Sequence, residues 1–413
     1  MTVVRGVAGA PASESPRAIR VVCPDMSVNA LGRALVLAEI AARIAPTEVV
    51  GVLRGKELWA PARDFSVPLR CFSFAGAHRF FAAARWLRAQ VAGAVVIVSK
   101  PRLTSLELTR AAGVSLSSVV LDIDDWELGL MMKQRGLPAV IPPEFAPPLR
   151  VSFQHLGRGV NAPFVMRAME ARALSVPTRL VSNGWLQRRF GGELLPHLRD
   201  TKALAPDGAL RSEQRAALRL GDRVWATFVG TARAHKGLDT LVAAVAAGPD
   251  ELGLMLCGLD EADAAGRAVI SQARSALGEA RVRVVPPFPA SALPRVLSAA
   301  DIAVVPSHET ASSAGQIPAK LFDGLCMGLP VVASAVGNIC DVVAQAGLTF
   351  PPGDAAALSV LLSQLVADGE QRRRLGERAR QRAVTHYDLS SGVPTLRTAI
   401  AAAQSASKVG VAG

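Results

Sequence analysis

The chain has 413 residues, half of them hydrophobic, and a formal net charge of +12. This length exceeds one ordinary hydrophobic core, so we expect two domains of about 180 to 200 residues each. The charge raises the question of nucleic-acid binding, but the basic residues are spread widely and only 5% of residues are aromatic. Because stacking on bases needs aromatic side chains among the cations, the composition argues against a nucleic-acid partner.

The cysteine pattern and the hydropathy predict a cytoplasmic protein. Five cysteines stand far apart without a Cys-x-x-Cys pair, which is typical of buried, reduced thiols and speaks against zinc. Residues 1–18 are rich in Ala, Gly, Pro and Ser and lack the apolar core of a signal peptide, so we expect a disordered tail. No segment reaches the roughly 18 apolar residues that a membrane span needs.

Strand-like and helix-like segments alternate along the whole chain, which predicts two doubly wound, Rossmann-like parallel α/β sheets. The first strand is predicted at Ile19–Cys23, with a helix to about Ile44, and Val95–Ser99 is another strand. Ligands of open parallel sheets bind beyond the carboxyl ends of the strands, so the loop of residues 24–33 faces a cleft. Asn29 is a candidate ligand contact in this loop, and a helix cap is the equal alternative.

The acidic segment of residues 119–127 allows two further enzyme classes. Asp122 and Asp124 have the Asp-x-Asp spacing of manganese-dependent GT-A glycosyltransferases and of dehalogenase-type phosphatases. The phosphatase pattern expects threonine where this chain has Trp126, and the GT-A pattern does not explain the nucleotide-site signals further along the chain. We therefore expect Asp124 and Asp125 to emerge from a buried strand into the cleft, as an acid or as acceptors for sugar hydroxyls.

An anion-binding turn is predicted after the strand Val224–Val229. Gly230 ends this strand, Arg233 and Lys236 follow, and an amphipathic helix begins at Leu238. Glycine lets a phosphate approach the backbone, and the helix start offers unpaired N–H groups and the positive end of the helix dipole. An ordinary strand-to-helix turn with nothing bound is the alternative.

A second group of sequence features, at residues 301–334, strengthens the prediction of an anion-binding site. A strand at residues 301–307 is followed by a loop of small residues, a short helix that begins near Pro318, and a strand in the stretch of residues 328–334. Pro318 suits the first turn of a helix, where the missing N–H costs nothing.

These two segments resemble the retaining nucleotide-sugar glycosyltransferases of family 4, which have the GT-B fold. In that family a glycine followed by Arg and Lys holds the donor diphosphate, and a Glu-x7-Glu element precedes a Gly-x-Pro-Val-Val-Ala-Ser stretch. The chain has Gly-Leu-Pro-Val-Val-Ala-Ser at residues 328–334, which places Asp323 at the second glutamate and implies that it contacts the nucleotide ribose.

The chain departs from the family pattern at two positions. Gly315 stands at the first glutamate, which contacts the donor sugar, and Thr231 stands where arginine is common. Glu309 is a candidate to take over part of the sugar contact, with a solvated loop glutamate as the alternative. His155 is a further candidate for contacting sugar, although a lone histidine is more often structural.

The resemblance implies transfer of a sugar, with retained anomeric configuration, from a UDP- or GDP-linked donor to an unidentified hydroxyl acceptor. Neither metal nor cofactor is needed, because cations and a helix dipole stabilise the leaving diphosphate. Since Gly315 replaces the first glutamate, a catalytically silent nucleotide-sugar-binding protein is the alternative. The implied catalytic residues are Arg233, Lys236, Asp124 and Asp125; the donor-binding residues are Gly230, Thr231, Arg233, Lys236, Phe288, Gly315, Gln316, Ile317 and Asp323; and the acceptor-binding residues are Asn29, Gly32, Arg33 and His155.

The domain prediction follows the same resemblance. Residues 19–196 are the acceptor-binding domain, 197–212 the linker, 213–385 the nucleotide-sugar-binding domain, and 386–405 a helix that crosses back to the first domain. The Ser-Asn pair at residues 182–183 is similar to an element that closes the last strand of the first domain in bacterial members. Arginines at residues 372–382 predict a solvated helix face, with contact to the inner face of an anionic membrane as the alternative.

Overall fold

Two parallel sheets organise the chain in the computed structural model, which describes residues 17–62, 65–134, 162–310 and 313–409. The first sheet has seven strands in the order β3-β2-β1-β4-β5-β6-β7, and the second has six in the order β10-β9-β8-β11-β12-β13. The strands are β1 Ile19–Cys23, β2 Thr47–Leu53, β3 Leu69–Ser73, β4 Val95–Ser99, β5 Val119–Ile123, β6 Arg179–Val181, β7 Glu193–Leu194, β8 Val224–Val229, β9 Leu252–Cys257, β10 Val282–Val285, β11 Ile302–Val305, β12 Val331–Ser334 and β13 Gly347–Phe350.

Helices connect the strands and cover both sheets. The described α-helices are α1 Ala30–Ala41, α2 Phe80–Val91, α3 Leu108–Ala111, α4 Glu127–Gln134, α5 Pro163–Leu174, α6 Gly184–Phe190, α7 Gly208–Ala217, α8 Leu238–Ala246, α9 Ala264–Leu277, α10 Leu293–Ser298, α11 Ala319–Cys326, α12 Ile339–Val343, α13 Ala355–Ala367, α14 Gly369–His386 and α15 Val393–Val409. The predicted α/β architecture with two doubly wound sheets is therefore confirmed.

The central strands are buried on both faces, which explains why the sequence shows them as continuous apolar runs. Every residue of β4, β5 and β9 is buried, as expected for parallel strands covered by helices on both sides. In each sheet the chain order reverses between neighbouring strands, at β1 and β4 in the first and at β8 and β11 in the second. Each reversal opens a crevice at the carboxyl edge of its sheet, where ligands of such sheets bind.

Three predicted strands have the predicted bounds, namely β1, β4 and β8. Helix α1 ends at Ala41, earlier than the predicted Ile44. Beyond Ala41 the N–H groups of Arg43 and Ile44 donate to the carbonyls of Ile40 and Ala41, three residues back, so the chain continues as turns. Pro318 is the residue before the first turn of α11 and not part of that turn.

The segment predicted as a linker is packed and partly helical. Leu198 and Leu204 are buried in a cluster that contains residues of both sheets, and α7 begins at Gly208. The backbone N–H of Arg199 donates to the Tyr387 carbonyl at 2.8 Å, and Leu389 donates to the Arg199 carbonyl at 2.9 Å. Helix α15 packs against α1 and β5 of the first sheet, so the end of the chain holds the two halves together.

The prediction of buried cysteines is wrong for two of the five. Cys71 and Cys340 are exposed, whereas the other three cysteines are buried as predicted. Residues 1–16 of the predicted tail lie outside the described residues, and the carbonyl of Ala18 already accepts a hydrogen bond from Val95 at 2.9 Å. Among the described helices, none is both long enough and apolar enough to cross a membrane.

Candidate functional site

The turn after β8 has the geometry of an anion-binding turn. Gly230 has a φ of 137° and Gly237 a φ of 63°, both in the region that glycine tolerates best. A Cβ at Gly237 would lie 1.7 Å from the Pro306 carbonyl oxygen, so no other residue fits there. Helix α8 begins directly after Gly237, and its first N–H groups have no partner within the helix.

Lys236 reaches back over this turn. Its Nζ donates to the Thr231 carbonyl at 2.9 Å and contacts the Thr231 hydroxyl at 3.0 Å. Arg233 lies at the rim, with 57% of its side chain exposed and a distant ion pair of 3.8 Å to Asp263. The structure therefore brings Gly230, Thr231 and Lys236 together, while Arg233 lies at the exposed rim and donates to the Ala232 carbonyl at 3.1 Å.

A residue that the sequence analysis did not single out, Lys320, meets Lys236 at the same turn. A Cβ placed on Gly230 would lie 2.6 Å from Nζ of Lys320 and 3.3 Å from Nζ of Lys236. Both ammonium groups also face the ring of Phe228, with Nζ of Lys320 at 5.1 Å and Nζ of Lys236 at 6.0 Å from its centroid. We call these two residues the lysine pair.

A signal for Lys320 was present in the sequence. Lys320 is the second residue of α11, where the positive end of the helix dipole disfavours a cation. A lysine placed against this rule needs a separate reason, and proximity to an anion site is one.

The lysine pair is electrostatically unsatisfied. Burial lowers the pKa of Lys236 to about 6, and the neighbouring charges of Lys320 and Arg233 add to this effect. Burial also lowers the pKa of Lys320, although Asp323 opposes the shift. Within the described part of the chain, neither ammonium forms an ion pair with a carboxylate. The pair is therefore a site of positive potential that an anion would stabilise.

The loop before α11 docks against the first domain. The Asn183 side chain donates to the Gly315 carbonyl at 3.1 Å, and the Gln316 amide donates to Asp125 at 3.2 Å. Asn183 also caps α6 by accepting from Leu186 at 3.0 Å. Ile317, which follows, is buried. These contacts bring one expected donor-binding segment next to one expected catalytic aspartate.

The docking contact explains why residue 315 is glycine. A Cβ at Gly315 would lie 3.0 Å from Cβ of Trp126 and 3.0 Å from two ring carbons of Trp185. The two indole rings lie 5.3 Å apart, and the guanidinium of Arg189 stacks 4.7 Å from the Trp126 ring. Because Cβ of Trp126 and the ring of Trp185 lie this close, a side chain at position 315 would require these two residues to shift.

Asp323 is buried and its carboxylate is engaged. Nε of Arg199 donates to Oδ1 of Asp323 at 2.6 Å, and Arg199 also donates to the Ala319 carbonyl at 3.3 Å. The expected ribose contact of Asp323 thus coincides with an ion pair that ties α11 to the segment between the domains.

The carboxylates after β5 surround an ammonium group. Nζ of Lys100 lies 2.6 Å from Asp124, 2.8 Å from Asp125 and 3.1 Å from Glu127. Lys100 has a φ of 64°, a conformation that costs energy for a residue with a side chain. We call Lys100 and these three acidic residues the acidic cluster. Their carboxylate oxygens lie within 4.8 Å of one another, a geometry that could hold a metal ion, but the ammonium group already lies among them.

The pKa values in the acidic cluster follow from these contacts. Burial would lower the pKa of Lys100, but its three carboxylate neighbours hold it well above the ordinary value. Burial would raise the pKa of Glu127, but Arg102 and Lys100 outweigh this and lower it to about 2. Burial raises the pKa of Asp125, since the repulsion from Asp124 and Glu127 offsets part of the attraction of Lys100. Asp125, with 24% of its side chain exposed, is the most accessible acid of the cluster.

The two aspartates of the Asp-x-Asp pair have different partners: Asp122 binds Arg33, and Asp124 binds Lys100. The carboxylate of Asp122 is fully buried and accepts from Nε and Nη2 of Arg33 at 3.0 and 2.6 Å. Arg33 also donates to the Pro196 and Leu195 carbonyls. This placement differs from the expected acceptor contact, because protein partners occupy the guanidinium of Arg33 inside the domain. Asp122 is equally unavailable to a metal shared with Asp124.

The other acceptor candidates lie at different places. Asn29 occupies the cap position of α1 but its side chain makes no capping hydrogen bond, and it is exposed. Gly32 lies against the ring of Trp59, 3.2 Å from the position of an added Cβ. His155 lies outside the described residues. In the second domain, Phe288 is half-buried and Glu309 is exposed.

The basic face of α14 is largely occupied by protein partners. Arg380 donates to the carbonyls of Leu204, Cys326 and Thr201, and Arg382 donates to those of Val342 and Asp341. These contacts use the guanidinium groups that the membrane alternative requires, so the structure lends that alternative no support.

Comparison with known proteins finds a family match for part of the chain. Residues 211–382 match the family model described as glycosyl transferases group 1. A D-inositol 3-phosphate glycosyltransferase of Corynebacterium glutamicum (strain R) is 33% identical over 183 residues, which are 42% of this chain and 42% of that protein. The chain thus matches less than half the length of this curated relative.

Solved structures are similar over nearly the whole chain. Sucrose-phosphate synthase from Thermosynechococcus elongatus has a TM-score of 0.66 and 20% identity, with 94% of this chain and 100% of that chain covered. HepE of Anabaena, solved in complex with UDP-glucose, has a TM-score of 0.71 and 14% identity, with coverage of 93% and 99%. The likeness establishes the GT-B fold, and the match to the group 1 glycosyl transferases is confined to residues 211–382.

Proposed function

We propose that the protein is a retaining glycosyltransferase of family 4, which transfers a sugar from a nucleoside diphosphate sugar to a hydroxyl acceptor. The observation that carries the proposal is the turn at Gly230, where Lys236 and the start of α8 face an open anion site at the carboxyl edge of the second sheet. This turn lies within the residues that match the family model.

The turn supplies what departure of the diphosphate requires. Negative charge develops on the phosphate oxygens as the bond to the sugar breaks, and fixed cations and N–H groups lower the energy of that state. Lys236 and the N-terminus of α8 are held in place before the reaction begins, so little reorganisation is needed. Removing one such group typically costs about 2.7 to 4 kcal/mol of transition-state stabilisation. Arg233, exposed at the rim of the same turn, would add a further positive charge to a bound diphosphate.

Asp125 is the carboxylate best placed to contact the sugar. Its Oδ1 already reaches Gln316 across the domain boundary, whereas Asp124 faces Lys100 and is buried. Because Lys100 supplies a positive charge among these carboxylates, we propose a reaction without metal. UDP is our first choice of nucleotide, since the neighbour HepE was solved with UDP-glucose, and GDP is the second.

Release of nucleoside diphosphate tests the proposal. The purified protein is incubated with UDP- and GDP-linked sugars and a panel of hydroxyl acceptors, in buffer with EDTA. We expect turnover with one donor, and the anomeric configuration of the product is read by NMR. Lys236→Ala and Arg233→Ala should lower turnover strongly without unfolding the protein, and Lys202→Ala, an exposed lysine, is the control. Normal rates for both site variants would refute the assignment.

A catalytically silent nucleotide-sugar-binding protein is the second candidate. The observation that favours it is Gly315, where Cβ of Trp126 and the ring of Trp185 lie 3.0 Å from the position of a side-chain Cβ. Binding of a UDP-sugar without release of UDP across the acceptor panel would support this candidate over the transferase.

A further inference from the structure

Lys320 has no evident structural reason to be a lysine. Its ammonium lies against the ring of Phe228 and next to the ammonium of Lys236. An apolar side chain at this position would pack on the ring without repelling Lys236. The first turn of α11 also disfavours a positive charge. The arrangement therefore raises the energy of the ligand-free protein, and ligand binding is the event that can lower it.

The two ammonium groups of the lysine pair converge on one point. That point is the position of a Cβ at Gly230, which glycine leaves empty, 2.6 Å from Nζ of Lys320 and 3.3 Å from Nζ of Lys236. Both distances are within or near hydrogen-bond range. An oxygen close to this point would contact both lysines and lie beside the backbone of Gly230. One phosphate has several oxygens, and a diphosphate has enough charge to pair with both cations.

Lysine suits this site because its charge can be withdrawn. An ammonium loses its proton readily when buried, whereas a guanidinium stays charged. The chain has only seven lysines among 46 basic residues, and two of them meet here. A pair of arginines would remain doubly charged in the empty site, whereas one lysine of this pair can be neutral until an anion arrives.

We propose that Lys320 binds the diphosphate group of the donor nucleotide together with Lys236, so that two ammonium groups on opposite elements, the turn after β8 and the start of α11, clasp the same oxygens. This inference rests on the proposed function for the identity of the nucleotide but not for the binding of diphosphate. Lys320 is thus a substrate-contacting residue that joins the loop of residues 313–318 to the anion site.

Binding of inorganic pyrophosphate tests the inference without any assumption about base or sugar. Isothermal titration calorimetry compares the wild-type protein with Lys320→Met, Lys320→Arg and the exposed control Lys202→Met. Hydrogen bonds to charged groups predict that Lys320→Met weakens pyrophosphate binding about 10-fold to 100-fold. Lys320→Arg keeps the charge and should stay within about threefold of wild type, as should the control. An unchanged affinity in Lys320→Met, or an equal loss in Lys320→Met and Lys320→Arg, overturns the inference.

A second measurement needs no loss of function. Reductive methylation with ¹³C-formaldehyde gives a separate NMR signal for each of the seven lysines, and Lys→Arg variants assign those of the lysine pair. Pyrophosphate should shift both signals and leave that of Lys202 in place; a shift of the Lys236 signal alone contradicts the inference.

The two proposals can fail separately. Loss of pyrophosphate binding in Lys320→Met, in a protein that turns over no donor, upholds the site and refutes the transferase. If the wild-type protein turns over a nucleotide sugar and Lys320→Met binds pyrophosphate normally, the transferase is supported and the role of Lys320 is refuted.

Discussion

Replacing Lys100 by methionine should convert the acidic cluster into a divalent-metal site. The substitution keeps a long apolar stem and removes the ammonium that contacts Asp124, Asp125 and Glu127. The three carboxylate oxygens, within 4.8 Å of one another, then repel each other. Among the described residues their remaining ion-pair partner is Arg102, through Glu127 at 2.5 Å. Oxygen ligands of this kind suit Mg²⁺, Ca²⁺ and Mn²⁺.

The stability lost in Lys100→Met is large because the ion pairs that it breaks are buried. The side chains of Lys100, Asp124 and Glu127 are at most 5% exposed, and removing one partner from a buried ion pair typically costs about 3 to 5 kcal/mol. A metal that binds only the folded variant returns about 2.7 kcal/mol at 100 times its dissociation constant. Metal should therefore restore more than half of the lost stability.

Thermal unfolding followed by circular dichroism measures both effects. Without metal, Lys100→Met should unfold well below the wild type at pH 8. The loss should be smaller at pH 5, because burial and the neighbouring carboxylates already raise the pKa of Asp125 and its protonation then removes a repelling charge. A folded pKa above the unfolded value adds stability at low pH, and this stability is lost as pH rises through the folded pKa.

Mn²⁺ should raise the unfolding temperature of Lys100→Met and leave the wild type and Lys202→Met unchanged. An equal response of all three proteins to Mn²⁺, or no response of Lys100→Met, would show that the ammonium does not stand in for a cation. If the stability that Lys100→Met loses relative to the wild type is as large at pH 5 as at pH 8, repulsion between the carboxylates is not the cause of the loss.

Three further predictions concern single residues. Burial and Lys320 lower the pKa of Lys236 to about 6, so its amine is largely neutral at pH 8 and binding of UDP should take up a proton. The calorimetric enthalpy of UDP binding will then vary with the ionisation enthalpy of the buffer in the wild type but not in Lys236→Met. Gly315→Ala places a methyl group 3.0 Å from Trp126 and Trp185 and should cost about 1 to 3 kcal/mol of stability. The unfolding temperature should fall and the tryptophan fluorescence should change, whereas Gly208→Ala, with nothing within 4 Å, should alter neither. Arg199→Met removes the partner of the buried Asp323 and should cost about 3 kcal/mol. Arg373→Met, in an exposed ion pair, should leave the unfolding temperature nearly unchanged; equal unfolding temperatures for the two variants would contradict the role of Arg199.

The fold could be read from the sequence because its signals are local. Strands β4 and β8 are short β-branched runs bounded by turn residues, and strands buried on both faces leave few alternatives at those positions. The turn at Gly230 was predictable for the same reason, since the glycine, the basic residues and the helix start lie within ten positions.

The partners of the charged residues could not be read in this way. Arg33 pairs with Asp122 across 89 positions and Arg199 with Asp323 across 124, and no local pattern indicates which of the many arginines does so. Gly315 was a departure from the family pattern in the sequence, and only the positions of Trp126 and Trp185 supply its reason. Lys320 stood inside a segment already assigned to the site, but its proximity to Lys236 depends on where the start of α11 lies relative to the turn at Gly230.

The distribution of partners, not the net charge, locates the anion site. Arginines of α14 donate to backbone carbonyls of distant segments, as Arg380 does to Leu204, Cys326 and Thr201, so much of the positive charge holds the protein together. Lys100 is also fully occupied, by three carboxylates. In the described part of the chain, the lysine pair is half-buried without a carboxylate ion pair, and like charges that are partly removed from water are costly unless a ligand compensates them. The lysine pair is therefore the place that we propose for an anion, whereas Lys100 and Arg380 are engaged within the fold.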